Sequence, residues 1–244
     1  MIYGLIPCRL KSSRLKEKAL LEIDGLPLII HTLKRSMLSK KLDKIIVCTD
    51  SKKIKKVVEK YGGEAFISKK DHETGTDRIA EFASKLSNKD IVIDIQGDYP
   101  LLKPKNIDSL INFHKKNNFE IVCPVTKIYS ANSPNIVKVV KNKLGRILYF
   151  SRAKIPYEYR KKNKHYFYHM SIISFQKKSL IKFKNLKKGE IENIEGIELM
   201  RAIENDIHVG TFEIKDDAFS VDVKEDYLKA LSLMPQDPIR KLYK

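Results

Sequence analysis

Over the first half of the chain the hydrophobic pattern alternates between two periods. Short apolar runs bounded by turn residues occur at 2–6, 45–48, 65–67, 91–95 and 121–125. Runs this short and this rich in Ile and Val predict buried strands. Between them, residues 27–39, 51–61, 76–86 and 104–116 carry apolar side chains three and four apart, the spacing of amphipathic helices. Pro104 stands at a first helical position, where a missing N–H costs nothing. Strand alternating with helix predicts right-handed crossovers and an α/β fold with a doubly wound, mostly parallel, Rossmann-like sheet.

Beyond residue 130 the pattern changes. Segments 137–140 and 146–150 flank Lys141-Asn142-Lys143-Leu144-Gly145, which reads as a hairpin turn. Further strands are expected at 167–175 and 207–214, and helices at 192–204 and 224–233. No internal repeat or low-complexity tract interrupts the chain, so this less regular lobe reads as an insertion in one unit.

At 244 residues the chain is long enough to bury a core without metal or disulfide staples. Cys8, Cys48 and Cys123 are too few for a disulfide framework, and neither a secretory leader nor a spanning run is evident. A cytoplasmic protein with no membrane partner is expected. The net charge of +18 raises nucleic acid as a partner. The residue types argue against it: 39 of the 48 basic residues are lysines, spread over helix faces and loops as solvated surface. The nine arginines, whose planar forks suit phosphate and carboxylate, are more informative.

Two of these, Arg9 and Arg14, fall with Pro7, Ser12, Ser13 and Lys18 in a loop directly after the first strand. Open α/β sheets keep their ligand crevice at that end of the strand. The loop has no glycine, so it is neither a P-loop nor a Gly-x-Gly-x-x-Gly turn, and its phosphate contacts would come from side chains. Cys8 and Arg14 also have the spacing of cysteine-dependent phosphatases, which leaves a thiolate nucleophile as an alternative.

Asp71-His72-Glu73-Thr74-Gly75-Thr76-Asp77-Arg78 precedes an expected helix. Thr74 or Thr76 can cap it, and Gly75 permits close backbone approach, so its amides suit a phosphate or a base edge. Gln96-Gly97-Asp98-Tyr99-Pro100 follows the most apolar strand, which sets Asp98 at a carboxyl end as a natural Mg²⁺ ligand. Asp222, after another apolar run, could supply a second carboxylate.

In order, these motifs resemble the cytidylyltransferases that activate 3-deoxy-manno-octulosonate (Kdo), over essentially the whole chain. The resemblance rests on Ile6-Pro7-x-Arg9, Ser13-Arg14-Leu15, Lys18, Gly25-x-Pro27, His31, Cys48-Thr49-Asp50 and Asp71-His72. It continues through Gly75-Thr76-Asp77-Arg78, Gln96-Gly97-Asp98-x-Pro100 and Pro134-Asn135-x-Val137-Lys138-Val139. It ends with Tyr149-Phe150-Ser151-Arg152-Ala153-x-Ile155-Pro156, His169, Glu192-x-Ile194-Glu195-x-x-Glu198-x-x-Arg201 and Val221-Asp222-x-x-Glu225-Asp226.

The resemblance implies Mg²⁺-dependent transfer from CTP to the anomeric hydroxyl of a sugar acid, for lipopolysaccharide or other surface-glycan synthesis. Kdo is the leading acceptor, with a related ulosonic acid such as 8-amino-Kdo next. Arg9, Arg14, Lys18 and Asp98 would be catalytic. Pro7, Ser12, Ser13, Thr74, Gly75, Thr76 and Arg78 would join them in binding the nucleotide, Asp98 and Asp222 would hold Mg²⁺, and Gln96, Arg152, His169, Glu195 and Glu198 would face the sugar acid. Residues 1–128 would be mainly the nucleotide part, 129–215 the sugar-acid and homodimerisation lobe, and 216–244 a return to the core. Three departures stand out. Lys16-Glu17 replaces the family's usual Pro-Gly, Tyr99 replaces an acidic residue, and His169-Met170-Ser171-Ile172-Ile173 replaces His-x-Gly-x-Tyr.

Overall fold

The computed structural model describes residues 1–12, 14–69, 71–216 and 218–243; Ser13 therefore lies outside the described residues. In chain order its strands are β1 (Ile2–Cys8), β2 (Glu22–Ile23), β3 (Leu26–Pro27), β4 (Lys44–Thr49), β5 (Glu64–Ile67), β6 (Ile91–Ile95), β7 (Ile121–Val122), β8 (Val125–Ile128), β9 (Lys138–Lys141), β10 (Ile147–Ser151), β11 (Tyr166–His169), β12 (Ile172–Gln176) and β13 (Val209–Gly210). Its helices are α1 (Leu28–Met37), α2 (Lys52–Lys60), α3 (Gly75–Ala83), α4 (Pro104–Lys116), α5 (Lys177–Asn185), α6 (Glu190–Glu195), α7 (Met200–Glu204) and α8 (Lys224–Leu233).

A seven-stranded sheet in the order β13-β7-β12-β6-β1-β4-β5 forms the centre. All its pairings are parallel except those of β12, which runs antiparallel to β6 and β7. Successive side chains of a strand point to opposite faces, and both faces are covered. Ile6, Val47, Ile93 and Ile95 pack with residues of α1, α2 and α4, whereas Leu5, Ile46, Cys48 and Val92 pack with residues of α3, α5 and α7. This is the doubly wound α/β architecture expected from the alternating pattern. A four-stranded antiparallel sheet, β10-β9-β11-β8, builds the second lobe.

Two expected strands are each divided between the sheets. Segment 121–125 breaks at Cys123-Pro124 because proline cannot donate to a ladder, so β7 stays in the large sheet and β8 enters the small one. Segment 167–175 breaks at Met170-Ser171 into β11 and β12. The two breaks lie side by side, with Met170 N–H donating to Pro124 C=O at 2.9 Å. The expected helix 192–204 is likewise two pieces. Gly196 turns left-handed at φ 60°, and the Glu204 carboxylate of α7 accepts from Ile191 N and Glu192 N at the start of α6. The buried Arg201–Glu192 pair, at 2.6 Å, ties the two helices together. Of the expected strand 207–214, only Val209–Gly210 forms a strand. Helix α5, not foreseen, buries Ser179, Leu180 and Phe183 and turns its lysines outward.

Residues 238–243 close the fold over α1. The fully buried Arg35 donates to the Tyr243 hydroxyl at 2.9 Å and to the Asp237 carboxylate at 2.8 Å, and the His31 ring shares that hydroxyl at 3.0 Å.

Candidate active site

A cleft of about 330 Å³ opens at the carboxyl ends of β1 and β6. Its walls come from three segments that are distant in sequence. From the end of β1 and the loop beyond it come Pro7, Cys8, Arg9, Ser12, Arg14 and Lys18; from the turn into α3 come His72, Glu73, Thr74, Gly75 and Arg78; from the end of β6 come Gln96, Gly97 and Asp98. Asp222 completes it.

Strand geometry explains why these side chains meet. β1 and β6 are parallel neighbours, so both end at the same edge. Gly97 and Gly75 let the three segments close: a Cβ on Gly97 would lie 2.8 Å from Pro7 C=O, and one on Gly75 would lie 3.1 Å from the Pro7 ring. Asp222 is carried in by the return segment. Val221 N–H donates to Asp98 C=O at 2.9 Å, and the buried Tyr99 hydroxyl donates to Ala218 C=O at 3.0 Å. The Tyr99 departure thus has a packing role: it anchors the segment that brings the second carboxylate to the cleft. The Asp226 carboxylate then accepts from Asp222 N and Val223 N and fixes the start of α8.

Lys18 is the electrostatic centre. Its ammonium lies 2.6 Å from an Asp98 carboxylate oxygen and 3.0 Å from an Asp222 oxygen. Arg14 donates to the same Asp222 oxygen at 3.0 Å. Burial pulls the lysine's pKa down, but the two carboxylates outweigh it and leave it raised, so the cation is secure at neutral pH. Arg78 is nearly buried and braces the opposite wall, donating to Ser68 Oγ at 2.6 Å and to the Asp50 carboxylate at 3.1 Å. Asp50 also accepts from Leu10 N–H at 3.2 Å and so links the basic loop to the α3 turn.

The departure at Lys16-Glu17 is visible in the backbone. Glu17 has φ 49° and ψ 36°, the left-handed region, where a side-chain-bearing residue pays roughly 1–2 kcal/mol that glycine avoids. Its carboxylate meets Lys53 at 2.6 Å, a half-exposed pair of little energetic weight.

The phosphatase alternative is not supported. Burial, reinforced by Asp98 and Asp50, pushes the Cys8 thiol up to about 12, which leaves no thiolate at neutral pH.

Five residues expected at the ligand lie elsewhere than on this cleft. Thr76 is buried and donates to Glu198 at 2.9 Å. Glu198 also accepts from Thr74 Oγ1 at 2.8 Å. Glu195 accepts from Ser151 Oγ at 2.6 Å and from Arg152 N–H at 2.9 Å. The Arg152 guanidinium donates to the backbone carbonyls of Glu195, Pro134 and Gly196, leaving spare N–H groups on both terminal nitrogens. His169 faces Cys123 Sγ at 3.5 Å and Phe150 edge-on. Burial lowers its pKa to about 4 and keeps the ring neutral. Thr76, Glu195 and Glu198 spend polar atoms on protein partners, whereas Arg152 keeps N–H groups to spare and His169 is engaged through Nδ1. His72, Glu73 and Gly97 line the cleft without having been singled out as contacts. The only sequence signal for them was their place inside the two motifs.

Residues 3–212 match the model of the cytidylyltransferase family. The chain is 36% identical over 233 residues to the 3-deoxy-manno-octulosonate cytidylyltransferase of a Nitratiruptor species, covering 92% of this chain and 96% of that one. To the enzyme of the same name from Thermodesulfovibrio yellowstonii it is 37% identical over 238 residues, covering 91% and 93%. A solved CMP:2-keto-3-deoxy-manno-octonic acid synthetase, complexed with CTP, superimposes with a TM-score of 0.92 at 32% identity, over 96% of this chain and 98% of that one. A 4-diphosphocytidyl-2C-methyl-D-erythritol synthase from Anaerococcus prevotii, at 17% identity and a TM-score of 0.64 over 96% of each chain, shares the fold.

Proposed function

Because the chain belongs to the cytidylyltransferase family, we propose that it transfers the cytidylyl group of CTP to the anomeric hydroxyl of Kdo. The new bond joins that oxygen to the α-phosphorus, the bond from the α-phosphorus to the bridging oxygen breaks, and pyrophosphate leaves as the hydroxyl loses its proton. The observation that carries this reading is the placement of Lys18 between Asp98 and Asp222 at the end of a basic cleft. Such a cluster binds a triphosphate through Arg9, Arg14 and Lys18 and neutralises charge that grows on the leaving pyrophosphate. In this reading Pro7 and the turn of Thr74 and Gly75 would meet the nucleoside, and Gln96, which lines the cleft with Asp98, would meet the acceptor.

The two carboxylates also suit Mg²⁺. Their oxygens already converge on one cation, and Mg²⁺ takes hard oxygen ligands, needing few from the protein when phosphates supply others. Asp98 and Asp222, whose oxygens meet at Lys18, would be the protein's share. Bound there, Mg²⁺ would supply further charge neutralisation at the phosphates.

The second lobe leaves Leu148 of the edge strand β10, Tyr157 and Tyr159 exposed, and an unpaired strand edge with large apolar side chains left in solvent favours an interface. We assign them to a homodimer. Sedimentation at micromolar concentration should give twice the chain mass; a monomer that persists at high concentration would remove this assignment. No helix among the described residues is long and apolar enough to cross a membrane, and a cytoplasmic enzyme feeding lipopolysaccharide or another surface glycan accords with the use of CTP.

Acceptor choice is tested by pyrophosphate release with CTP, Mg²⁺ and a panel of Kdo, 8-amino-Kdo and a sialic-type acid. Kdo should turn over at least about tenfold better than the sialic-type acid, since a mismatched polar group in a buried site costs that much or more. Ile173 replaces the family's tyrosine hydroxyl opposite Asp94, which is why 8-amino-Kdo belongs in the panel. Its turnover above Kdo would reassign the substrate.

A further inference from the structure

Asp94 lies on β6, four residues before Asp98, and only 1% of it is exposed. A buried carboxyl must have its hydrogen bonds met inside the protein, and the way they are met fixes its state. Gln96 Nε2 donates to Asp94 Oδ1 at 2.9 Å. Asp94 Oδ2 lies 3.4 Å from Thr76 Oγ1. The Thr76 hydroxyl has one proton, and its shorter contact, 2.9 Å, is to Glu198 Oε2. With that proton given to Glu198, the hydrogen between Thr76 and Asp94 comes from Asp94. Burial and the nearby Glu198 charge both push the Asp94 carboxyl well above the usual carboxylate range; burial raises Glu198 as well, but Thr74, Thr76 and Arg201 hold it down, so the proton of the pair sits on Asp94.

The chain of bonds does not end there. Glu198 Oε1 accepts from Thr74 Oγ1 at 2.8 Å, and Thr74 in turn accepts from Asp77 N–H at 3.1 Å as the cap of α3. One line of hydrogen bonds thus runs from Gln96, on one wall of the cleft, through Asp94, Thr76 and Glu198 to Thr74, on the other. Both ends line the cleft; Asp94, Thr76 and Glu198 between them do not.

We infer that Asp94 is a positioning residue that acts as a hydrogen-bond donor to Thr76 and acceptor from Gln96, setting the Gln96 amide and the Thr74 turn in one fixed arrangement. Its role rests on the cytidylyl-transfer reading for the acceptor side, because Gln96 is the group taken to meet the sugar acid. The Thr74 side rests only on CTP binding.

Substitutions at Asp94 separate the hydrogen-bonding role from a need for charge. Asp94→Asn keeps both bonds, since its carbonyl oxygen accepts from Gln96 and its amide N–H donates to Thr76, so it should hold kcat/KM for both substrates within about twofold of wild type. Asp94→Leu removes both bonds in nearly the same volume. It should raise the KM for the acceptor about tenfold or more, more than it lowers kcat, and weaken CTP binding measured by calorimetry without acceptor. Gln96→Leu should reproduce the acceptor effect alone and leave CTP affinity unchanged, and it guards against misfolding of the Asp94→Leu variant. A loss in Asp94→Asn as large as that in Asp94→Leu would mean that the negative charge is needed, which overturns the inference. Unchanged CTP affinity in a folded Asp94→Leu would overturn the link to Thr74. Wild-type protein that binds CTP but turns over no Kdo would defeat the acceptor assignment while leaving the CTP arm decisive.

Discussion

Asp98→Asn should lower kcat for pyrophosphate release by about 10³-fold, the loss expected when a preorganised charge at the reacting phosphates is removed. The substitution is nearly isosteric and leaves intact the Asp98 carbonyl that accepts from Val221 N–H, so the return segment and Asp222 stay in place. What changes is one carboxylate oxygen 2.6 Å from the Lys18 ammonium. A neutral amide offers a much weaker oxygen to a cation, so the Mg²⁺ concentration for half-maximal rate should rise as kcat falls. Initial rates over a Mg²⁺ titration, with thermal melting as a control on folding, measure both. A variant within threefold of wild type at every Mg²⁺ concentration would show that Asp98 is a structural partner of Lys18 and nothing more.

Lys18→Met carries the next largest effect. Methionine keeps much of the apolar stem but removes the cation that both carboxylates share, so that Asp222 keeps Arg14 while Asp98 loses its pairing with the ammonium. Two opposing consequences follow. The triphosphate loses a positive contact, while the carboxylates become free for metal. Because the cation is needed as charge builds on the leaving pyrophosphate, the first should dominate: kcat/KM for CTP should fall by about 10²- to 10³-fold. Lys18→Arg should recover only part of it, since a planar fork cannot occupy the point between two carboxylates that an ammonium fills. Full activity in Lys18→Met would mean that Lys18 balances the carboxylates in the absence of ligand and takes no part in the reaction.

How much of this was legible in the sequence depended on the distance over which each element is determined. β6 and α4 are legible to the residue, because Ile91 to Ile95 is an apolar run broken only by Asp94 and Pro104 marks a helix start. The divided strands escape a sequence reading for a tertiary reason. The apolar pattern of 121–125 and of 167–175 is continuous, and only the position where two sheets part decides that Cys123-Pro124 and Met170-Ser171 are crossings. Helix 192–204 fails similarly: Gly196 is a local warning, but the Glu204 cap that stabilises the first piece is a contact with the second. Helix α5 is hidden because its short apolar face is embedded in lysines.

For the site, the strand-end rule did most of the work. It puts Arg9, Lys18 and Asp98 at one edge, and the motif order adds Thr74, Gly75 and Arg78. Asp222 was placed by motif alone; its arrival depends on Tyr99 and Val221, which no local pattern reveals. Side chains with polar atoms in the fold are the ones that lie off this cleft. Thr76, Arg152, His169, Glu195 and Glu198 carry the right chemistry for a ligand, yet each is engaged by a partner far along the chain. A sequence shows which groups could bind; it does not show which are already occupied.

Phosphorus NMR of purified protein incubated with CTP, Mg²⁺ and Kdo tests the proposed transfer most directly. Loss of the CTP resonances should be matched by one phosphodiester signal from CMP-Kdo and one from pyrophosphate, in equal molar amounts and only when all the components are present. Release of orthophosphate, or CTP left unchanged beside Kdo at high enzyme concentration, would contradict it.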